Sequence, residues 1–228
     1  MEFFLDSANI EAIRAAVETL PISGVTSNPT ILRAEGKIDF FEHFRQIRDM
    51  IGLERPLHIQ VASKQAEKMI KEAERIVEQI DERVYIKIPA TQQGLRAMKV
   101  LKERGIGVTA TAIYTQMQGF LSIACGVDYI APYVNRMENL DMQPFAAIEA
   151  FAKVIGRTAA TTKILAASFK NVQQINQAIR AGVHCVTLTP QLLQEALDIP
   201  AVERAVDRFA DHWREIFGDT SIDEISCR

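Results

Sequence analysis

The residue with the sharpest chemical implication is Lys87, in the run Val84-Tyr85-Ile86-Lys87-Ile88. Alternate residues of a strand face opposite sides, so the three β-branched residues claim one face for apolar packing and Lys87 turns to the other. In a closed barrel that other face is the interior. Lysine is almost never fully buried without a partner, and the bland alternative is a strand-end lysine whose ammonium snorkels to water. An interior amine, by contrast, has a use. At an ordinary pKa near ~10.4 only about four lysines in ten thousand are neutral at pH 7, and desolvation raises that fraction by penalising the charged form. A neutral amine attacks a carbonyl and forms a Schiff base.

The same parity rule collects partners. In Leu57-His58-Ile59-Gln60-Val61 the aliphatic residues face outward and Gln60 faces in, with His58 one layer below it and read as structural. Asp6 closes Phe3-Phe4-Leu5-Asp6, and Thr109 and Thr111 share the inward parity opposite Val108 and Ala110. Tyr133 ends Tyr129-Ile130-Ala131-Pro132-Tyr133, and Ser168 ends Ile164-Leu165-Ala166-Ala167-Ser168. Singly, Asp6 and Ser168 read equally well as helix caps, and Gln60 as a satisfied core amide. Together, a carboxylate, an amine, an amide, hydroxyls and a phenol at one height demand more polar satisfaction than a purely structural core supplies.

Elements that position such a set are the alternating strands and helices of a (β/α)8 TIM barrel, an α/β fold whose chemistry sits at the carboxyl ends of its strands. Strands are expected near 2–6, 22–26, 57–62, 84–88, 107–112, 128–133, 162–168 and 183–188. The helical stretch 64–80 places Ala66, Met69, Ile70, Ala73, Ile76, Val77 and Ile80 at three- and four-residue spacing. No Pro/Gly/Ser-rich linker interrupts the alternation, so one domain over 1–228 is expected. A last helix over about 201–217 gathers Val202, Ala205, Val206, Phe209, Trp213 and Ile216 on one stripe, suited to cover this barrel or a neighbouring subunit.

Other chemistries fall away. The net charge of −3 over 228 residues comes without basic runs, which argues against a nucleic-acid partner. No apolar run approaches a bilayer span and no basic-then-apolar leader opens the chain, so a cytoplasmic protein without a membrane role is expected. Cys125, Cys185 and Cys227 are an odd set without metal spacing, which fits a reducing compartment, and neither a metal nor a disulfide is expected. Gly105-Ile106-Gly107 precedes a strand and lacks the third glycine of a dinucleotide loop, and no strand-end histidine stands beside Ser168 for a serine triad.

The segments LDSAN at 5–9, GVTSNPT at 24–30, VYIKIPAT at 84–91, APYVNR at 131–136 and LAASFKN at 165–171 resemble those of the transaldolase family, and more closely its fructose-6-phosphate aldolase branch. The resemblance covers nearly the whole chain. It implies a class I aldolase without cofactor, in which Lys87 forms the imine, Asp6 is the acid/base carboxylate, and Gln60, Thr111 and Tyr133 hold a proton-shuttling water. It also implies substrate contacts from Thr26, Asn28 and Ala131, and a phosphate-binding pair in Arg136 and Ser168. The implied reaction is reversible cleavage of fructose 6-phosphate to dihydroxyacetone and glyceraldehyde 3-phosphate. Transaldolase, which passes the same three-carbon unit to a sugar phosphate, and a barrel that only binds sugar phosphates are the competing readings. Transaldolases carry glutamate and phenylalanine where this chain has Gln60 and Tyr133, which favours the aldolase. The chain departs from its relatives at Ser7, Ser27 and Thr109, and relatives in the branch form decamers, so a homo-oligomer is expected by resemblance.

Overall fold

Short β-branched and aromatic runs become strands and the amphipathic stretches between them become helices, so that each strand is followed by one or two helices before the next. A computed structural model describes residues 1–225, so the expectation for Cys227 lies outside the described residues. The strands are β1 Glu2–Asp6, β2 Ile22–Thr26, β3 Leu57–Gln60, β4 Val84–Pro89, β5 Val108–Ile113, β6 Tyr129–Pro132, β7 Lys163–Ala166 and β8 Cys185–Leu188. The helices are α1 Ile10–Thr19, α2 Pro29–Ala34, α3 Phe40–Ile51, α4 Ala66–Gln79, α5 Gln92–Glu103, α6 Gln116–Ala124, α7 Val134–Glu138, α8 Pro144–Thr158, α9 Val172–Arg180, α10 Pro190–Leu197 and α11 Pro200–Phe217. Each strand pairs in parallel with the next and β8 pairs back onto β1, which closes the (β/α)8 barrel.

Parity holds around the ring. Val84, Ile86 and Ile88 are fully buried on the helix side of β4, as are Leu57 and Ile59 on β3. On the inner side Gln60 pairs in register with Lys87, and Lys87 in turn with Thr109. The lower interior is filled by Phe4, Tyr129, Leu165 and Cys185, with Tyr85 against them. Phe4 enters only because residue 24 is glycine: a Cβ there would stand 2.5 Å from the Phe4 ring and 2.7 Å from the Pro56 carbonyl.

Strand ends pass into helices through side-chain caps. Asn9 accepts from Ala12 N ahead of α1, Thr91 from Gly94 N ahead of α5, Thr115 with Gln118 forms a capping box ahead of α6, and Asn171 accepts from Gln174 N ahead of α9. These caps fix where each strand stops, and so the height at which its last inward residue stands.

The chain groups into two compact units, Met1–Leu192 carrying the barrel and a second unit from Leu193 onward, where one domain over 1–228 is expected from the sequence. Within the second unit α11 matches the expected last helix, Trp213 stacks on Phe217 at 4.3 Å and donates to the Thr220 carbonyl, and Val202, Val206, Phe209 and Ile216 are exposed. Among the described residues no helix is long and apolar enough to cross a membrane.

Candidate active site

At the carboxyl ends of the strands lies a cavity of about 280 Å3, with Lys87 among its walls. Lys87 is 4 % exposed, and its amine donates to the Ser27 carbonyl at 2.8 Å. A carbonyl carries no charge to hold an ammonium, so burial dominates and lowers the lysine pKa from its ordinary value, against the opposing pull of Asp6.

Asp6, from the end of β1, lines the same cavity. It accepts from Thr26 Oγ1 at 2.6 Å, and Thr26 Oγ1 lies 2.7 Å from Thr187 Oγ1. A threonine hydroxyl has one proton, which Thr26 gives to the carboxylate, so Thr187 donates to Thr26. The result is a directed chain, Thr187 to Thr26 to Asp6, that fixes one carboxylate oxygen.

Across the cavity Tyr133 follows β6, its hydroxyl 2.9 Å from Thr111 Oγ1. Burial raises the phenol pKa, the Asp6 charge adds to this, and the Thr111 hydrogen bond and Arg136 oppose it, so the ring is a protonated donor at neutral pH. Gln60 completes the wall, its Oε1 buried and without a hydrogen-bond partner among the described residues. A buried amide oxygen with no partner is costly unless something enters to meet it.

Farther out, Arg136 on α7 donates to Tyr114 Oη at 3.0 Å and lies 5.1 Å over the Tyr133 ring. No ion pair engages Arg136 among the described residues, so a guanidinium fork reaches the cavity wall without a carboxylate competing for it. Asn28 caps α2 through its Oδ1, which accepts from Thr30 N and Ile31 N, and its amide nitrogen remains as the donor for the cavity. Ser168 also lines the cavity at φ +62°, and so does Ala112 at φ +53°. These left-handed conformations are unfavourable for residues with a Cβ and recur at functional sites. Ala112 lies within the register shift that the β5–β6 pairing makes between Ala110 and Ile113.

Of the ten residues singled out in the sequence, seven line this cavity: Lys87, Asp6, Gln60, Tyr133, Asn28, Arg136 and Ser168. Thr26 and Thr111 stand one bond behind it, holding Asp6 and Tyr133. Ala131 is buried on the inner face of β6 below Tyr133, and its methyl does not reach the cavity wall. The cap readings for Asp6 and Ser168 give way, because Asn9 and Asn171 do the capping. Tyr133 stands beyond the end of β6, at the first cap position of α7, joined to Ala167 by a single bridge. Sequence reasoning missed Thr187, although it shares the inward parity of Cys185 on β8. It also missed Tyr114 and Ala112, and nothing in an alanine announces a bulge. No group of three or more His, Cys, Asp or Glu able to hold a metal occurs among the described residues.

A barrel with this lysine-centred site is an enzyme of the aldolase/transaldolase type, because the family model described as Transaldolase/Fructose-6-phosphate aldolase matches residues 3–225. A probable fructose-6-phosphate aldolase of Streptococcus pneumoniae (strain ATCC 700669 / Spain 23F-1) is 47% identical over 222 residues, covering 97% of this chain and 100% of the relative. The chain belongs to the transaldolase/fructose-6-phosphate aldolase family.

Proposed function

We propose that the protein is a class I aldolase that reversibly cleaves fructose 6-phosphate to dihydroxyacetone and glyceraldehyde 3-phosphate through an imine on Lys87. The observation that carries the reading is a buried lysine amine with a neutral carbonyl as its hydrogen-bond partner, in a cavity shared with Asp6, Gln60 and Tyr133. The amine adds to the ketone carbon of the sugar, and water leaves as the imine forms. A base takes the proton from the C4 hydroxyl, the C3–C4 bond breaks, and its electron pair flows into the imine as an enamine while the aldehyde departs. Protonation at C3 and addition of water return the amine and release dihydroxyacetone. Tyr133, held by Thr111, and the unpartnered Gln60 Oε1 flank the place where a water would carry these protons. Arg136 and Ser168 stand farther out, where the phosphate of the sugar would lie. A water-mediated relay suits release of the three-carbon unit to solvent.

Two measurements test this. Borohydride reduction with dihydroxyacetone is expected to fix a mass adduct on Lys87, and folded protein without the adduct sinks the imine. Free dihydroxyacetone is expected from fructose 6-phosphate alone; turnover only with an added aldose phosphate would make the protein a transaldolase, and an adduct-free protein that still binds sugar phosphate a binding barrel. The exposed apolar stripe of α11 supports association between copies in a cytoplasmic homo-oligomer.

A further inference from the structure

His58 is a fully buried titratable side chain that the reaction above leaves unused. It sits at a division within the barrel. On β4 two inward residues look opposite ways: Lys87 lines the cavity at the carboxyl ends of the strands, and Tyr85 lines another of about 350 Å3 at their amino ends, together with Arg83, Lys102 and Asp128. The His58 ring stacks on Tyr85 at 4.9 Å and 22°, with Phe4 and Tyr129 edge-on at 5.4 and 4.8 Å. From β3 its Nδ1 spans β4 to reach Thr109 Oγ1 on β5 at 2.8 Å, and Thr109 is the register partner of Lys87. The hydrogen bond therefore forms a strap between the two strands that flank the lysine.

We propose that His58 is a positioning residue for the imine chemistry, its ring sealing the lysine chamber from the charged, water-accessible cavity at the other end of the barrel. The proposal rests on the Schiff-base reading. Its logic is that a hydrated lysine stays an ammonium, so an amine that must be neutral needs a dry floor as well as dry walls. The seal must itself be uncharged. Burial, with Lys87 and Arg48 as the charges acting on it, holds the His58 pKa well below the ordinary histidine value, and its Nε2 has no partner among the described residues that would stabilise an imidazolium. Arg48, on α3, is committed to Asp81 at 2.6 Å, and the other titratable neighbours, Tyr85 and Tyr129, have phenol pKa values raised by burial. Polarity is tolerated in the floor because the Thr109 hydroxyl finds its partner in the ring. The groups facing Lys87 from elsewhere, Asp6, the Ser27 carbonyl, Gln60 and Tyr133, are unchanged by replacing His58.

The test is the rate of adduct formation on the full chain with dihydroxyacetone and cyanoborohydride, followed by intact mass between about pH 6 and pH 10, for wild type, His58→Ala and His58→Phe. His58→Ala opens the floor, and its acid limb is expected to move about one unit to higher pH, roughly a tenfold slower rate at neutral pH. His58→Phe refills the floor without the bond and is expected to keep the wild-type limb. If His58→Ala does not fold, His58→Gln, which lacks the ring, is read in its place. A limb that stays put in the opened variant, or moves equally in the Phe variant, overturns the seal even if the overall rate falls. Wild type that forms no adduct at any pH overturns the Schiff-base reading and the seal with it; wild-type adduct with coincident limbs overturns the seal alone.

Discussion

Removing the two threonine hydroxyls behind Asp6, singly and together, separates the direction of that chain from its mere presence. In Thr187→Val the neutral bond to Thr26 is lost while Thr26 still donates to Asp6, a loss of about 1 kcal/mol. In Thr26→Val the charge-assisted bond to the carboxylate goes, costing about 2 kcal/mol, and the Thr187 hydroxyl is stranded in a buried site for about 1 kcal/mol more. In the double variant nothing is stranded, so its loss is expected to be no larger than that of Thr26→Val alone, a coupling of about 1 kcal/mol. At roughly 2–4 °C per kcal/mol for a chain of this size, Thr187→Val should melt about 2–4 °C lower, Thr26→Val about 6–12 °C lower and the double variant no lower than Thr26→Val. Calorimetry of all four proteins at one pH measures this, and adduct formation on Lys87 should fall in the same order as Asp6 loses its fixed position. Additive losses, or Thr187→Val as damaging as Thr26→Val, would refute the directed chain.

Replacing Lys87 by Met should abolish the adduct and raise the melting temperature at neutral pH, a gain of about 1 kcal/mol or more from removing an amine that burial disfavours. The sign follows from the lowered pKa: between it and the ordinary value of 10.5 the unfolded chain holds a proton that the folded one does not, so wild-type stability rises with pH through that window. The advantage of Lys87→Met is therefore largest below the window and disappears above it; a melting difference that grows with pH contradicts the burial of an uncompensated amine. Arg136→Ala should raise KM for the phosphorylated sugar by about 10- to 100-fold, the loss of one or two charge-assisted hydrogen bonds. Steady-state kinetics with an unphosphorylated acceptor should be nearly unaffected, and equal losses for both substrates would remove Arg136 from the phosphate site.

Parity made the strands and the inward residues legible, because a barrel leaves only one face of each strand free to be polar. The rule that placed Lys87, Gln60 and Thr111 would have placed Thr187 as well, two residues after the inward Cys185. What it could not give was depth. Ala131 and Tyr133 share a parity, yet only the longer side chain reaches the cavity, and Thr26 and Thr111 stand behind residues that do. The cap positions were also beyond reach: Asp6 and Asn9 are equally good N-caps in isolation, and the choice between them depends on where β1 leaves the sheet. The turn into the left-handed region at Ala112 has no signature, since an alanine there is held by the strands on either side and not by its own preference. His58 was read as structural from its parity, and its place between two cavities belongs to the register of three strands, which no single segment encodes.

The hydrogen-bonded chain behind Asp6 joins residues 161 positions apart, from the second strand to the last. Such a link carries a large loop-closure entropy and forms only when the sheet closes. During synthesis, which proceeds from the amino end, Lys87, Gln60 and Tyr133 have all left the ribosome before β8 exists. A nascent or truncated chain thus holds Lys87 without the strand that orients Asp6, and adduct formation on that lysine becomes a report on ring closure. On the proposed imine chemistry, the amine becomes competent only once the last strand has been delivered and the barrel is whole.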